Sequence, residues 1–267
     1  MTALATPRMG TEMRITALRI AVVLAITLVW EMVSRLGILD PRDFPAFSDV
    51  AVSFVTTLAQ ATTWWAIGNT VLGWLLAMCV SIALGVGLGL LIGPSRFLTK
   101  STSLLIDVLR STPPPALIFI LILMLGTSMA MKVAMASFAA VFPILIQTLY
   151  GVRGVDPVLR DLRRSYRIRP ATAFFRIQLP ASMPFIATGV RISASLCLIV
   201  IVVAEYLSGS PGVGSLVDEV RRIGDFPRMY ALILLVGFLS VGLNLVIGMG
   251  EAKVLGWHAS HRKGVRR

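Results

Sequence analysis

Charge-free stretches of membrane-spanning length alternate along the chain with short basic segments. A helix needs about 20 consecutive apolar residues to cross the hydrocarbon core. Arg19 to Arg35 encloses a moderately apolar run broken only by Glu31, near its end. Between Asp49 and Arg96 there is no charge at all. The second half of that stretch, Ile67 to Ile92, predicts a span. The first half carries Thr56, Thr57, Gln60, Thr62 and Thr63 and is too polar to be one. It predicts an amphipathic interfacial helix leading to Trp64 and Trp65, side chains suited to the headgroup level. Further charge-free runs go from Ser111 to Met131 and from Val133 to Val152. Ile177 to Ala204 is broken only by Arg191, and Met229 to Gly250 is the last run. The pattern predicts an all-α, polytopic membrane protein with about six transmembrane helices. The first span has no convincing small-residue cleavage site behind it and reads as a retained helix, not a removed signal.

Six spans bring both termini to one side. Of the Lys and Arg residues, 18 fall in the termini and the loops on their side and 6 in the opposite loops (Arg35, Arg42, Lys132, Arg221, Arg222 and Arg228), with Arg191 inside a span. Basic residues collect on the cytoplasmic face, so the bias predicts an N-in, C-in topology. Three regions follow: a tail, first span and interfacial helix over 1–66, a five-helix core over 67–256 containing a loop at 151–180, and a basic cytoplasmic tail over 257–267.

Within the spans, Gly85, Gly89 and Gly93 recur every fourth residue and share one helix face, where a second backbone can approach closely. Simple packing explains them. Pro113, Pro114 and Pro115 cannot continue a helix from Arg110. They predict the end of a short surface helix, from about Ser103 to Leu109, before the third span. Pro143 predicts a kink in the fourth.

Composition narrows the classes. Of 267 residues, 56% are hydrophobic and 14% charged, and the mean hydropathy is +0.84. Soluble chains carry about a quarter charged residues, so this chain has too little polar surface to clothe a soluble body. The same numbers exclude disordered, collagenous and disulfide-framed classes. The net charge of +12 would suggest nucleic acid in a soluble protein. Here the bases flank spans, so lipid is the expected partner and nucleic acid is not. Cys79 and Cys197 lie deep in apolar runs and read as small buried hydrophobes. His258 and His261 sit in the basic tail, and no Cys/His cluster has metal spacing. No paired carboxylates, Ser/His arrangement or metal cluster faces a common site, which argues against an enzyme. There is no Gly-x-x-x-x-Gly-Lys-Ser/Thr loop to cradle ATP.

The segment Gly151 to Pro180, GVRGVDPVLRDLRRSYRIRPATAFFRIQLP, carries the clearest signal. Asp156 followed by Pro157 is a helix start, an N-cap acceptor and then proline at the first helical position. Pro170 ends the pattern. Leu159, Leu162 and Tyr166 share one face, and Arg160, Arg163, Arg164 and Arg167 surround it. A short amphipathic helix of this kind suits a groove on a partner protein or an anionic lipid surface, and the physics alone leaves both open.

These residues resemble a family. The inner-membrane permeases of bacterial ABC importers carry in this loop the motif EAA, three residues, Gly, nine residues, Ile, one residue, Leu-Pro. Asp161 stands at the acidic position, followed by Leu162 and Arg163. Ile177, Leu179 and Pro180 match at the full spacing. Gly151 to Pro157, Arg110 to Pro114, and Val203-Ala204-Glu205 at the end of the fifth span also look like the family. The resemblance runs from Asn69 onward and is nearest to the nitrate/sulfonate/taurine branch. Leu162 and Arg163 replace alanines, and Arg167 replaces the glycine that in the family permits a turn. Arginine disfavours a left-handed backbone, so the turn falls at Pro170 or the helix is straighter.

The resemblance implies a pore-forming subunit, paired with a second identical copy, each copy docking a cytoplasmic ATPase. ATP and Mg would be bound by that ATPase and no cofactor by this chain. A periplasmic or lipid-anchored binding protein would deliver the solute. The implied ATPase contact is Leu159, Asp161, Leu162, Arg164, Ser165, Tyr166 and Arg167, on a short coupling helix from Val158 to Arg169, with Ile177, Leu179 and Pro180 leading into the fifth span. Leu207 to Arg228 lies outside, with a glycine-rich loop and a short surface helix from Ser215 to Ile223 whose Asp218, Glu219, Arg221 and Arg222 offer a docking surface for the binding protein. Arg110, Pro114, Arg191 and Glu205 are the candidates for the substrate pathway. Arg191 is a base inside a span, and an intramembrane charge points to function, although pairing or snorkelling accounts for it equally well. The branch implies a small anion such as a sulfonate, nitrate or taurine. Relatives with similar patterns import aromatic carboxylates or pyrimidine precursors, and an ATPase-independent secondary transporter is the other reading. The latter would need a coupling-ion site, and no chain of intramembrane acids supplies one.

Overall fold

The computed structural model describes residues 9–154, 166 and 169–254. All regular elements among them are helical. In chain order they are α1 (Met9–Arg35), α2 (Phe47–Leu58), α3 (Ala61–Ile92), α4 (Arg96–Ser111), a 3₁₀ turn (Pro114–Leu117), α5 (Ile118–Leu125) and α6 (Met129–Arg153). A helical turn (Pro170–Ala173) and a π turn (Phe174–Gln178) lead into α7 (Leu179–Ser208), followed by α8 (Val213–Arg222) and α9 (Phe226–Val254).

Among the described residues, α1, α3, α6, α7 and α9 are each long and apolar enough to span a membrane. The expected third span is not one straight helix. It is a pair, α4 and Pro114–Leu125, bent by 85°. The cause is the proline triplet: three successive residues lack a backbone N–H, and a proline disfavours helical backbone at the residue before it. Thr112 and Pro113 are extended. The helix before this break is also longer than Ser103 to Leu109. It starts at Arg96 because Ser95 caps it, its hydroxyl accepting the Leu98 N–H at 3.2 Å. Helix α3 starts at Ala61, so it runs across the expected boundary at 66. Trp64 and Trp65 project from its first two turns, both exposed.

The centre of the bundle is α6, which packs against α3 on one side and α7 on the other. Small residues make these seams. A Cβ on Gly85 would stand 2.8 Å from the Ile144 side chain, one on Gly89 2.5 Å from Thr148, and one on Gly93 2.6 Å from Val152. Across the other seam, Gly189 of α7 faces Ile144 and Gln147 at 3.0 Å, and Gly151 of α6 faces Ser182 at 3.0 Å. Helix association in lipid lacks a hydrophobic driving force between apolar surfaces and depends on such close approach. Interhelical hydrogen bonds add to it: Ser193 Oγ donates to Ala140 O at 2.6 Å and Trp74 Nε1 to Ala194 O at 2.9 Å. Cys197 is buried in this core, whereas Cys79 is exposed. The expectation of two buried cysteines therefore holds for one.

Helix α6 is continuous through Pro143. The π turn before α7 also has a proline cause. Leu179 N bonds Phe174 O, an i to i−5 register, and the next residue, Pro180, has no N–H to offer.

Helix α1 meets the rest at one end. Trp30 packs on Phe44, Phe47 and Tyr230 with ring centroids 5.5, 5.7 and 5.9 Å away. Glu31 accepts from the Ser48 N–H and hydroxyl, both at 3.0 Å. The charge that interrupts the first span is therefore an acidic cap on α2.

Candidate functional site

A cleft of about 550 Å³ opens where the bend between α4 and α5 faces the middle of α6 and α7. Arg110, Ser111, Thr112 and Pro114 come from the bend. Phe138, Phe142, Pro143 and Gln147 come from α6, and Ile192 and Leu196 from α7. The proline break places the end of α4 here, and Arg110 projects from its last turn. The Phe138 and Phe142 rings meet edge to face at 5.3 Å. Gln147 owes its place to Gly189, whose missing side chain leaves room for the glutamine stem.

The donors in this cleft are few. Ser111 and Thr112 give their hydroxyl protons to Asp107 O (2.8 Å) and Val108 O (3.1 Å) on their own helix. Arg110 Nε donates to Asp107 Oδ1 at 2.9 Å. Its terminal nitrogens have no hydrogen-bond partner among the described residues, and neither has the Gln147 amide. An arginine carries five N–H donors, so four remain for a ligand. Arg110 also lines a smaller neighbouring cleft of about 180 Å³ that runs between α4 and α6 toward Arg153.

The four candidates for the substrate pathway thus separate. Arg110 and Pro114 share the cleft. Arg191 lies elsewhere, half exposed, paired with Glu251 of α9, beside an open groove of about 590 Å³ that also includes Asn244. Asn244 Nδ2 donates to Ser195 Oγ at 2.9 Å, so α9 is held to α7 by polar contacts within the span.

Glu205 is in neither. It is 0% exposed and paired with Lys132, itself 1% exposed, at 2.6 Å. Its carboxylate also accepts from Thr70 Oγ1 at 2.9 and 3.1 Å and from Gly214 N at 3.1 Å. Lys132 Nζ donates to Pro211 O at 2.8 Å, and Val213 N to Thr70 Oγ1 at 2.9 Å. The pair therefore ties α3, α6, α7 and the start of α8 together. Gly212 and Gly214 are required by this closeness: a Cβ on Gly212 would stand 2.0 Å from the carboxyl carbon, and one on Gly214 2.2 Å from Val202 O. Lys132, read from sequence as a loop base, is a buried residue of α6. Gln147 was not expected. The signal available for it was its being the only amide in the charge-free run from Val133 to Val152.

Helix α8 covers the same end of the bundle. It starts at Val213, and Val213, Val217 and Val220 are buried with Ala66, Leu232 and Leu235. Asp218, on the expected docking surface, is instead mostly buried and holds Arg221 at 2.9 Å and Arg222. Glu219 stays exposed. Chiefly the Arg222 hydrogen bond, and then that of Arg221, keeps the Asp218 carboxyl below the ordinary carboxylate range. A lowered folded value means that the stabilisation is complete above the ordinary pKa of about 3.9 and is lost as pH falls through the lower folded value. Thermal unfolding between pH 3 and 7 should show a steeper acid decline in wild type than in Asp218→Asn, and parallel profiles would refute the linkage.

Leu159, Asp161, Leu162, Arg164, Ser165 and Arg167 lie outside the described residues, as does nearly all of the expected helix from Val158 to Arg169. Tyr166 is exposed in a turn. Ile177 falls in the π turn, and Leu179 and Pro180 open α7.

Comparison with known proteins agrees with this architecture. Residues 81–254 match the family described as binding-protein-dependent transport system inner membrane component. The chain is 28% identical over 249 residues to the permease protein SsuC of Bacillus subtilis (strain 168), named for aliphatic sulfonates transport, covering 90% of this chain and 86% of that one. It is 29% identical over 171 residues to the nitrate import permease protein NrtB of Leptolyngbya laminosa, covering 64% of this chain and 61% of that one. In fold it is similar to a chain of the inward-facing MetNI methionine ABC transporter, with a TM-score of 0.64 at 15% identity, over 72% of this chain and 95% of that one. A permease of this kind works with an ATPase and a substrate-binding protein and is not itself an enzyme. The family match over most of the chain, together with the bundle of apolar helices, makes this protein a multi-pass inner-membrane permease subunit of the binding-protein-dependent ABC transport family.

Proposed function

We propose that two copies of this chain form the membrane pathway of an ATP-driven importer, carrying a small anion of the sulfonate or nitrate kind inward by alternating access. An ATPase docks on each copy through residues 151–180, and ATP and Mg belong to that partner. Both termini lie in the cytoplasm, on the side of the 18 basic residues. The binding protein delivers solute at the Lys132 end, where α8 presents Glu219, Arg221 and Arg222. ATP binding draws the ATPases together, the coupling helix acts as a lever on α6 and α7, and the cleft is exposed to each side in turn.

The observation that carries this reading is the Arg110 cleft: an open cleft between the α4–α5 bend, α6 and α7, with a guanidinium whose terminal donors have no partner among the described residues. The test is copurification of the ATPase with the permease in lipid nanodiscs, comparing wild type with Asp161→Arg. Wild type should retain the ATPase, and solute-loaded binding protein should stimulate hydrolysis. Asp161→Arg should lower that stimulation roughly tenfold or more, as for a central interface residue, and release the ATPase. Solute flux by the wild type without ATP, or no bound ATPase, would defeat the proposal.

A further inference from the structure

We propose that the Arg110 cleft selects an organic monoanion, one acid group on an apolar body of a few carbons, over a bare inorganic anion such as nitrate. This rests on the import function proposed above and names the solute class of the same cleft.

The cleft is amphipathic along its length. Phe138 and Phe142 lie on successive turns of α6, and Gln147 lies further along toward Arg153. Nine residues of α-helix cover about 13 Å, which leaves room for an acid head with a short chain or ring behind it. Arg110 stands at the Gln147 end, since it also lines the smaller cleft that continues toward Arg153. Asp107 holds the guanidinium by Nε, which leaves the terminal nitrogens to take two oxygens of one acid group side by side. The same carboxylate sits close enough to oppose a second negative charge on the solute. Beyond the donors, the walls are Phe138, Phe142, Ile192 and Leu196. Nitrate has no apolar surface to lay against those walls. A sulfonate keeps its oxygens at the Arg110 end, and its hydrocarbon body covers the walls, a burial that a bare anion cannot gain.

The experiment is calorimetric titration of the permease–ATPase complex in nanodiscs without binding protein. The probes are ethanesulfonate, 1-butanesulfonate, benzenesulfonate, nitrate and 1-butanol. Affinity should rise roughly fourfold per added methylene from ethane- to butanesulfonate. Nitrate and butanol should each bind at least about tenfold more weakly than butanesulfonate. Arg110→Gln should remove the preference for butanesulfonate over butanol, Arg110→Lys should keep part of it, and Phe138→Ser should flatten the dependence on chain length. Nitrate binding as tightly as butanesulfonate, or an unchanged preference in Arg110→Gln, would overturn the solute class even with ATP-dependent uptake intact. Selective sulfonate binding with no coupled ATPase would defeat the import function and leave the cleft's selectivity standing.

Discussion

Glu205→Gln should destabilise the folded permease by about 3–5 kcal/mol, the scale of removing one partner from a buried ion pair. For a chain of this size that corresponds to a fall of roughly 6–20 °C in the thermal midpoint. The amide keeps the shape of the carboxylate and can still accept from Thr70 and Gly214, but it leaves Lys132 as an unpaired buried cation. Lys132→Met is expected to be comparably harmful for the opposite reason, stranding the carboxylate. The double variant Lys132→Met/Glu205→Leu separates charge from hydrogen bonding. It removes both buried charges, so it should be more stable than either single variant. It should not reach wild type, because Pro211 O, Gly214 N and Thr70 Oγ1 lose partners, each at about 1–3 kcal/mol when buried. Thermal unfolding of wild type, Lys132→Met, Glu205→Leu and the double variant in one detergent gives the coupling energy. Additive single effects would mean that the two side chains act independently.

Gly89→Ala should be the next most damaging single change among those considered. The added methyl would stand 2.5 Å from Thr148 Cβ and 2.6 Å from its Cγ2, inside the closest approach of carbon atoms. Neither atom is the end of a flexible chain, so α3 and α6 must move apart, and overpacking of this kind costs about 1–3 kcal/mol. In a seam of three successive glycine contacts, separation at one level also loosens the contacts of Gly85 and Gly93. Thr148→Ala should restore only part of the loss, since it removes Cγ2 and keeps Cβ. Gly87→Ala is the control: nothing lies within 4 Å of its added carbon, and its thermal midpoint should match wild type. Equal midpoints for Gly89→Ala and Gly87→Ala would show that α3 and α6 do not meet as described.

The spans were legible because charge is nearly absent from them and dense between them. The proline triplet also announced a break, since missing N–H groups act locally. The 85° bend did not follow from it, because the angle is set by what α4 and α5 lean on. The Gly85, Gly89 and Gly93 face was legible as a seam, but its partner was not: spacing on one helix does not say which helix approaches. Charge was the least legible. Glu205 looked like a pathway residue because an intramembrane acid calls for a role, and Lys132 looked like a loop base because it stands at the edge of an apolar run. Each makes sense only with the other, across a separation of 73 residues that no local pattern bridges. Gln147 was passed over because an uncharged amide barely disturbs hydropathy, and its importance comes from the space Gly189 leaves beside it.

The separation between Lys132 and Glu205 also bears on how the chain is made. Helix α6 is synthesised before α7, and at bacterial elongation rates 73 residues take roughly 4–15 s. Over that interval the ammonium has no counter-ion, and placing it in hydrocarbon costs about 2.5–3.5 kcal/mol even at the centre of an inserting helix. The end of α6 that carries Lys132 therefore stays at the water boundary until Glu205 arrives, and Gly212 and Gly214 follow within ten residues to close over the pair. A nascent chain halted before residue 205 has α1, α3 and α6 but neither the lock nor the last span.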